Sequence, residues 1–368
     1  MSTRADFAMF FMMLALAQAP SLAAVPAVQK QYQLVNPGPA GFTLKLADAA
    51  VRTPVANEVL VRVRAASLNR RDIYVIDGQY PIGSRTSLVP LSDGAGEVAA
   101  VGPGVKRFRV GDRVAANFFQ SWVRGNPAAD TPTTALGGAL DGMLTEYVTL
   151  NEAGLVKIPA NLSFEEAATL PCAGVTAWNG LVTRGHTQAG DYVLLEGTGG
   201  VSMFGLQFAA ALGAKPIITS SSDTKLERAK ALGAVGLINY KKNPDWEKSV
   251  MELTGGAGAQ HILDVGGKDT LPHALASLGS GGNLALIGGL GGFGGDIPSF
   301  ALMGRNASAF GIYVGSVENF EAMNAFIEKH KMKPVIDRTF DYQDAKGAFD
   351  LMRSGDFVGK IVIRINGI

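Results

Sequence analysis

The chain has 368 residues, 18% of them charged, and a formal net charge of +1. This balance gives no support for a nucleic-acid partner, and the length favours two domains. The single cysteine, Cys172, excludes an intramolecular disulfide and a structural zinc site built from several cysteines.

Residues 1–24 have the layout of a secretory signal peptide: a short polar start, an apolar stretch over residues 7–17 and small residues near Ala23. The apolar stretch is too short for a comfortable membrane span, so we expect none in the mature chain. Asp6 offsets Arg4 in the n-region, and a soluble extension is the alternative. The sequence therefore predicts export to the periplasm or medium if the segment is a signal, and a cytoplasmic protein if it is not.

Residues 28–160 are rich in short predicted strands. Val59, Val61 and Val63 alternate with the residues between them, a pattern typical of a half-buried strand. Further short strands are predicted at residues 97–101 and 113–116, separated by Gly-Pro-Gly and Gly-Asp turns. Closely spaced short strands indicate a small barrel.

From residue 161 short apolar strands alternate with helices. Six strands are predicted, at residues 192–196, 217–220, 236–240, 261–265, 283–287 and 309–314. The helices between them include residues 201–212, 224–232 and 269–278. This alternation predicts a doubly wound α/β domain over residues 161–314. Residues 315–368, with at least one helix and a closing strand at 357–365, are predicted to return to the first domain.

A glycine fingerprint follows the first of these strands. Gly197 permits a tight turn, and Gly199 lets the backbone approach a pyrophosphate at the N-terminus of the next helix. The third fingerprint position holds Ser202, which is small but departs from the strict motif. Since a strand precedes the turn and a helix follows it, we expect residues Gly197, Thr198, Gly199, Gly200 and Val201 to bind a dinucleotide.

The end of the second strand decides between the two nicotinamide dinucleotides. An NAD site usually carries Asp or Glu about 20 residues past the glycines. Here Ser220, Ser221 and Ser222 form the tip, and Lys225 lies one helical turn further on. Asp223 is interpreted as the cap of the following helix. Hydroxyl groups and a positive charge favour the 2′-phosphate of NADP over NAD.

Several motifs together resemble the medium-chain dehydrogenase/reductase superfamily over about residues 30–368. The motifs are AASLNRRD at 65–72, PLSDGAGEV at 90–98, VGDRV at 110–114, LPCAGVTAW at 170–178, GTGGVS at 197–202 and GKIVI at 359–363. Within the superfamily the chain is most similar to the zinc-free, quinone-oxidoreductase-like and alcohol-dehydrogenase-like branch.

The resemblance implies a GroES-like β-barrel catalytic domain formed by residues 28–160 and 315–368, and a Rossmann NADP-binding domain of residues 161–314. It places Asn69 and Tyr74 beside the nicotinamide. Asn69 would orient the cofactor amide or a substrate oxygen, and Tyr74 would stack, donate a hydrogen bond or deliver a proton; either residue could instead serve packing or capping. It also assigns Thr176, Tyr240, Ile287, Gly288, Gly289 and Lys360 to the cofactor pocket.

Family members are often dimers through the Rossmann edge strand, which implies a homodimer here.

The resemblance also bears on zinc. In zinc alcohol dehydrogenases of this superfamily the metal takes Cys, His and Cys, with a nearby Glu. The corresponding positions hold Asn69, Ser92 and Cys172, with Asp93 for the Glu. Because Asn and Ser are poor zinc ligands, we expect no catalytic zinc.

Without a metal to polarise a simple carbonyl, conjugated acceptors are easier to reduce, because the charge left by hydride addition is delocalised. The sequence therefore predicts an NADPH-dependent, zinc-independent reductase of a small conjugated carbonyl or quinone. An NAD(P)-dependent alcohol/carbonyl oxidoreductase is the alternative within enzymes. A non-catalytic NADPH-binding protein is the alternative from another class, since no acid or base is evident.

Overall fold

The computed structural model describes residues 25–38, 41–80 and 85–365, so the predicted signal segment lies outside the described residues. None of the helices in this part of the chain is long and apolar enough to cross a membrane.

The first domain begins with eight strands and two short helices. They are β1 (Val28–Gly38), β2 (Gly41–Ala50), β3 (Glu58–Ser67), α1 (Arg70–Ile76), β4 (Ser87–Leu88), β5 (Asp93–Val101), β6 (Arg113–Ala116), β7 (Tyr147–Asn151), β8 (Leu155–Lys157) and α2 (Phe164–Ala167). Val59, Val61 and Val63 of β3 are buried, as their alternation predicts.

A helix over residues 170–183 connects the domains, with α3 (Val175–Trp178) between two π-helical turns. The second domain contains β9 (Tyr192–Leu195), α4 (Gly200–Ala211), β10 (Lys215–Ser220), α5 (Asp223–Lys230), β11 (Gly236–Asn239), α6 (Trp246–Leu253), β12 (Ala259–Asp264), α7 (Leu271–Ser277), β13 (Leu278–Leu286), α8 (Ser299–Met303) and β14 (Ser308–Gly311). The chain closes with α9 (Val317–His330), β15 (Ile336–Asp341), α10 (Ala345–Ser354) and β16 (Lys360–Arg364).

The second domain is built on one parallel sheet with the strand order β11-β10-β9-β12-β13-β14. Its central strands are buried on both faces: Leu194 packs in one apolar cluster and Leu195 in another. In a sheet of this order the chain crosses over between β9 and β12, and ligands bind outside the carboxyl ends of the strands at that point.

The first domain holds a sheet with the order β15-β16-β3-β5-β6-β8, to which β7 is added by pairing with β3. The C-terminal strand β16 runs antiparallel to β3, with Val362 opposite Ser67. The chain therefore leaves the first domain, forms the parallel sheet and returns. The predicted fold class, a GroES-like barrel domain plus a Rossmann domain, is confirmed.

Two elements differ from the sequence-based prediction. Strand β13 begins at Leu278 rather than at residue 283, because the chain extends through a glycine-rich stretch that carries no strand signal. Strand β15 was not predicted. It lies at the edge of its sheet, so its side chains are exposed or half-buried and its sequence, IDRTFD, shows no apolar alternation.

Gly359 joins the two domains just before β16 and has a left-handed backbone, with φ of +80°. A Cβ at this position would lie 2.3 Å from Val335 O.

Gly359→Ala is therefore expected to lower the free energy of unfolding by about 2–4 kcal/mol, through strain and overpacking together. Gly355→Ala is the matched control, because Gly355 has φ of +70° but open space around it. The control should lose only about 1 kcal/mol. Denaturant titration measures both, and equal losses would contradict the steric argument.

Candidate active site

The glycine turn between β9 and α4 has the geometry of a pyrophosphate cradle. Gly197 has φ of +71°, and its N–H donates to Thr219 Oγ1 at 3.1 Å. Gly199 is the N-cap of α4. A Cβ at either glycine would meet no heavy atom within 4 Å, so the space beside the turn is open. The first N–H groups of α4 have no acceptor within the helix, and with the helix dipole they favour an anion there.

The third fingerprint position is packed as the family pattern requires although it is not glycine. Ser202 is buried, and its hydroxyl donates to Glu196 O at 2.6 Å. Val201 is partly exposed beside it. Thr176 is buried in α3, which packs against α4. The contacts of Val201 and Thr176 with a dinucleotide stay predictions.

The glycine turn is also attached to the barrel domain. Gly359 N donates to Thr198 O at 2.9 Å, and Gly199 and Gly359 form an isolated β-bridge. A Cβ at Gly200 would come within 2.8 Å of Lys360 Cδ. The predicted cofactor residues Thr198, Gly200 and Lys360 therefore lie together, in direct contact across the domain boundary.

The serine tip ends β10 as the sequence predicts. Ser220 is buried, whereas Ser221 and Ser222 are partly exposed. Tyr240 N donates to Ser220 O at 3.1 Å, which places the exposed Tyr240 ring at the same edge of the sheet. These four residues form one polar rim next to the glycine turn.

The interpretation of Asp223 as the helix cap is wrong. Ser222 is the N-cap of α5 and Asp223 is the first helical residue. The Asp223 carboxylate instead accepts hydrogen bonds from Asn239 Nδ2, at 2.6 Å, and from Lys242 Nζ. Sequence reasoning missed both partners because they lie at and just after the end of the next strand, β11. Their donation lowers the pKa of Asp223, led by Asn239.

Lys225 is held by residues at the end of α10. Its ammonium donates to Gly355 O at 2.9 Å and lies 3.4 Å from Asp356 Oδ1, at the end of α10. A role for Lys225 at the 2′-phosphate stays a prediction, and Lys242 is a second cation at this edge.

The centre of the cleft is organised by a buried ammonium. Lys360 is 2% exposed; its Nζ donates to Leu68 O at 2.7 Å and to Asn69 Oδ1 at 2.5 Å. The same atom lies 3.5 Å from Asp93 Oδ2. A buried charge is costly unless several acceptors surround it, and here three do.

This arrangement fixes the orientation of Asn69. Because an ammonium has no acceptor, the Asn69 oxygen must face Lys360, and its Nδ2 group points the other way. That Nδ2 is buried and has no hydrogen-bond partner among the described residues. Asn69 therefore presents a buried, oriented N–H group that can donate a hydrogen bond to an oxygen of a substrate or cofactor.

The positions that correspond to zinc ligands do not fit a zinc ion. Asn69 and Ser92 offer a neutral amide and a hydroxyl, which are poor zinc ligands, and only Cys172 could supply a thiolate. Ser92 Oγ donates to Asp93 Oδ1 at 2.7 Å, and Cys172 N lies 3.3 Å from Asp93 Oδ2. The Lys360 ammonium adds a positive charge beside the same groups. No cluster of three or more His, Cys, Asp or Glu side chains suited to a metal occurs within the described ranges.

Tyr74 meets the loop after β13. Its hydroxyl lies 3.5 Å from Gly289 O, and its ring centre is 6.3 Å from that of Phe293. Ile287 N and Gly288 N both donate to Asp264 O, at 2.9 and 3.3 Å, which anchors the start of this loop. The structure thus brings together the predicted residues Tyr74, Ile287, Gly288 and Gly289.

An aromatic cluster lines the other side of the cleft. Phe118 and Phe119 of the barrel domain contact Tyr313, which follows β14, with ring centres 6.4 and 4.7 Å apart. Tyr313 OH and Tyr80 OH are 2.6 Å apart and connect the domains. Trp122 packs against Phe119. These rings form one aromatic cluster that includes residues of both domains.

Sequence reasoning missed a pair of buried carboxyl groups beneath the glycine turn. Glu196 Oε2 accepts from Val265 N and Gly266 N at 3.2 Å, and Asp264 Oδ1 accepts from Thr270 Oγ1 at 2.8 Å. Burial, and then the neighbouring Asp264 carboxylate, raise the pKa of Glu196 well above its ordinary value of 4.5. The available signal was an acidic residue at the end of an otherwise apolar strand.

Comparison with known proteins agrees with this architecture. Residues 55–160 match the family model "Alcohol dehydrogenase GroES-like domain", and residues 200–329 match "Zinc-binding dehydrogenase". A zinc-type alcohol dehydrogenase-like protein of Schizosaccharomyces pombe is 45% identical over 84% of this chain and 91% of its own length. A Sinorhizobium meliloti 1021 protein assigned as an alcohol dehydrogenase is 39% identical, with a TM-score of 0.88 over 93% of this chain and all of its own. A quinone oxidoreductase of Pseudomonas syringae is 30% identical, with a TM-score of 0.77 over 92% of this chain and all of its own.

The two-domain fold with a dinucleotide turn at the cleft defines an NAD(P)-dependent oxidoreductase. The chain belongs to the medium-chain dehydrogenase/reductase superfamily and is alcohol-dehydrogenase-like.

Glu196 makes stability depend on pH. A carboxyl whose pKa is raised by folding contributes stability that is complete below its unfolded pKa and is lost as the pH rises through the folded pKa. Glu196→Gln removes this ionisation. As the pH rises above 4.5, the variant should therefore gain stability relative to the natural protein, by about 1.4 kcal/mol per unit of pKa shift. Urea midpoints measured across pH test this, with the exposed Glu252→Gln as control. Parallel pH curves for Glu196→Gln and the natural protein would contradict it.

Proposed function

We propose that the protein reduces a small conjugated carbonyl compound or a quinone with NADPH, without a catalytic zinc. The observation that carries this proposal is the Lys360 ammonium bound to Asn69 Oδ1, at one of the positions where zinc-dependent relatives hold a metal ligand. A cation already occupies this part of the cleft, and a second one would be repelled.

The donor groups present suit a delocalised acceptor. When bound, the dinucleotide would supply the hydride. Hydride addition to an enone or quinone spreads negative charge over an enolate or hydroquinone, which modest donors can stabilise. Asn69 Nδ2 is such a donor, and Lys360 holds the Asn69 amide in place and supplies positive charge behind it. Tyr74 has a hydroxyl at the cleft edge that can donate a hydrogen bond or a proton.

The polar rim supports NADP rather than NAD. The partly exposed Ser221 and Ser222 present hydroxyl groups, and the Asp223 carboxylate is engaged by Asn239 and Lys242. A carboxylate held in this way is unlike the free one that an NAD ribose needs.

The comparisons give support to two acceptor classes. The resemblance to a quinone oxidoreductase favours the conjugated acceptor. The higher identity to alcohol dehydrogenase-like proteins favours the second candidate, an NAD(P)-dependent alcohol or carbonyl oxidoreductase. The candidate from another class is a protein that binds NADPH without turnover.

Two further parts of the proposal concern assembly and location. Homodimerisation through β14 is supported by its place at the sheet edge and by the exposed side chains of Phe300 and Met303 on the neighbouring α8. Export is supported by the signal-like residues 1–24, and N-terminal sequencing of the native protein decides it.

NADPH oxidation should accelerate with enones and quinones and not with simple ketones, because delocalised charge needs no metal. The assay follows absorbance at 340 nm with a panel of each acceptor class. Chelator treatment should leave the rate unchanged, and metal analysis should find far less than one zinc per chain. Turnover of simple ketones alone would favour the second candidate, and NADPH binding without turnover of any acceptor would favour the third.

NADPH should bind at least about tenfold more tightly than NADH, because a charged hydrogen-bonding partner is worth about this much. Ser221→Asp places a carboxylate beside the 2′-phosphate and should weaken NADPH binding by about tenfold while leaving NADH binding unchanged. The exposed Ser280→Asp, at the amino end of β13, is the control for added charge. Fluorescence titration measures the affinities of the natural protein and both variants for NADPH and for NADH. Equal affinities of the natural protein for the two dinucleotides would exclude the NADP assignment.

A further inference from the structure

Arg71 in α1 is a buried cation with an incomplete set of partners. Its side chain is 10% exposed. Its Nε, Nη1 and Nη2 atoms are buried, and none has a hydrogen-bond partner within residues 25–38, 41–80 and 85–365. A guanidinium carries a permanent charge and five N–H donors, so leaving all of them unmatched away from water is costly.

The contacts that Arg71 does make leave the edge of the guanidinium free. Its central carbon lies 4.8 Å from the ring centre of Tyr80 and 4.7 Å from that of Phe118. Cation–π contacts of this kind involve the faces of the guanidinium and the rings. They leave the N–H donors, which lie in the guanidinium plane, without acceptors.

Asp72 does not complete the site. Its Oδ1 lies 3.7 Å from Arg71 Nη1, too far for a hydrogen bond, and Oδ1 is itself buried without a partner. Its Oδ2 accepts from Asn69 N at 2.7 Å, which holds the carboxyl at the start of α1. Burial raises the pKa of Asp72 to about 6, although the Arg71 charge opposes this. The pair is therefore in proximity without the paired hydrogen bonds of a complete Arg–carboxylate interaction.

Arg71 lies in the same cleft as the proposed hydride site. Tyr80, which covers one side of the guanidinium, is hydrogen-bonded to Tyr313 of the other domain. The Arg71 charge acts on Tyr313 and on Cys172, lowering the pKa of each against the larger opposing effect of burial. At Gly138 a Cβ would stand 2.3 Å from Arg71 Nη2, so the glycine allows the guanidinium to pack directly against the backbone of this segment.

We propose that Arg71 binds a carboxylate group of the hydride acceptor, so that the substrate is a small conjugated carbonyl compound that also carries an acid group. This inference rests on the proposed function and specifies its substrate class. The Arg fork matches the two oxygens of a carboxylate. The aromatic rings on its faces restrict approach to the guanidinium plane, which suits a planar carboxylate better than a tetrahedral phosphate.

The test compares acetylacrylate, an enone with a carboxylate, with its uncharged methyl ester. In the natural protein kcat/KM should be higher for the acid than for the ester. Arg71→Gln should lower kcat/KM for the acid by about ten- to a hundredfold, chiefly through KM, and leave the ester within about twofold. Arg71→Lys, which keeps the charge beside Asp72 but loses the fork, should show a smaller acid-specific loss. Arg109→Gln, with a side chain 90% exposed in the barrel domain, is the matched control and should change neither substrate.

Further measurements distinguish a failure of this inference from misfolding of a variant and from a failure of the proposed function. NADPH binding and the urea midpoint confirm that each variant is folded. Benzoate should raise the melting temperature of the natural protein but not of Arg71→Gln, and benzamide, its uncharged counterpart, should raise neither. Equal turnover of acid and ester by the natural protein, or an equal loss of both in Arg71→Gln, overturns the inference while the proposed function stands. If no acceptor is turned over, the proposed function fails and the proposed substrate class fails with it. The benzoate comparison then decides only whether Arg71 is a carboxylate site: stabilisation that needs Arg71 supports such a site, and an equal response of the natural protein and Arg71→Gln overturns it.

Discussion

The buried ammonium of Lys360 is the contact on which the rest of the cleft depends. Lys360 lies on β16, and its ammonium donates to Leu68 O and Asn69 Oδ1 and lies close to Asp93 Oδ2. Its aliphatic stem packs against Gly200. An ammonium removed from water costs several kcal/mol unless its donors are matched. The start of α1, the start of β5 and the first turn of α4 must therefore stay together. One side chain thus connects the glycine turn of the second domain to Asn69 and Asp93 of the first.

Two side chains, Lys360 and Arg71, carry the positive charge in this part of the cleft. Lys360 sits behind Asn69, and Arg71 lies two residues further along the same segment. Asp93 faces Lys360 directly, whereas Asp72 approaches Arg71 without a hydrogen bond. The donors of Lys360 are therefore matched within the protein, whereas the N–H groups of Arg71 have no acceptor among the described residues.

The sequence predicts the parts of the molecule in which local pattern and tertiary role agree. The alternation of Val59, Val61 and Val63, and the strand, glycine turn and helix around Gly197, are patterns of this kind. It cannot predict how charges are paired over long distances. The pair Arg70-Arg71 resembles an exposed basic dipeptide, yet only Arg70 is exposed and Arg71 is buried between rings from residues 80 and 118. Glu196 and the partners of Asp223 were missed for the same reason, because what fixes their role comes from other strands.

The bridge between Thr198 and Gly359 lies at one end of the cleft and the Tyr80–Tyr313 pair at another. The first contact is made of backbone and a buried charge, and the second is a single hydrogen bond between partly exposed phenols. Separating the two domains at the tyrosine end would therefore break only that single hydrogen bond, whereas separating them at the glycine turn would also uncover the buried Lys360 side chain.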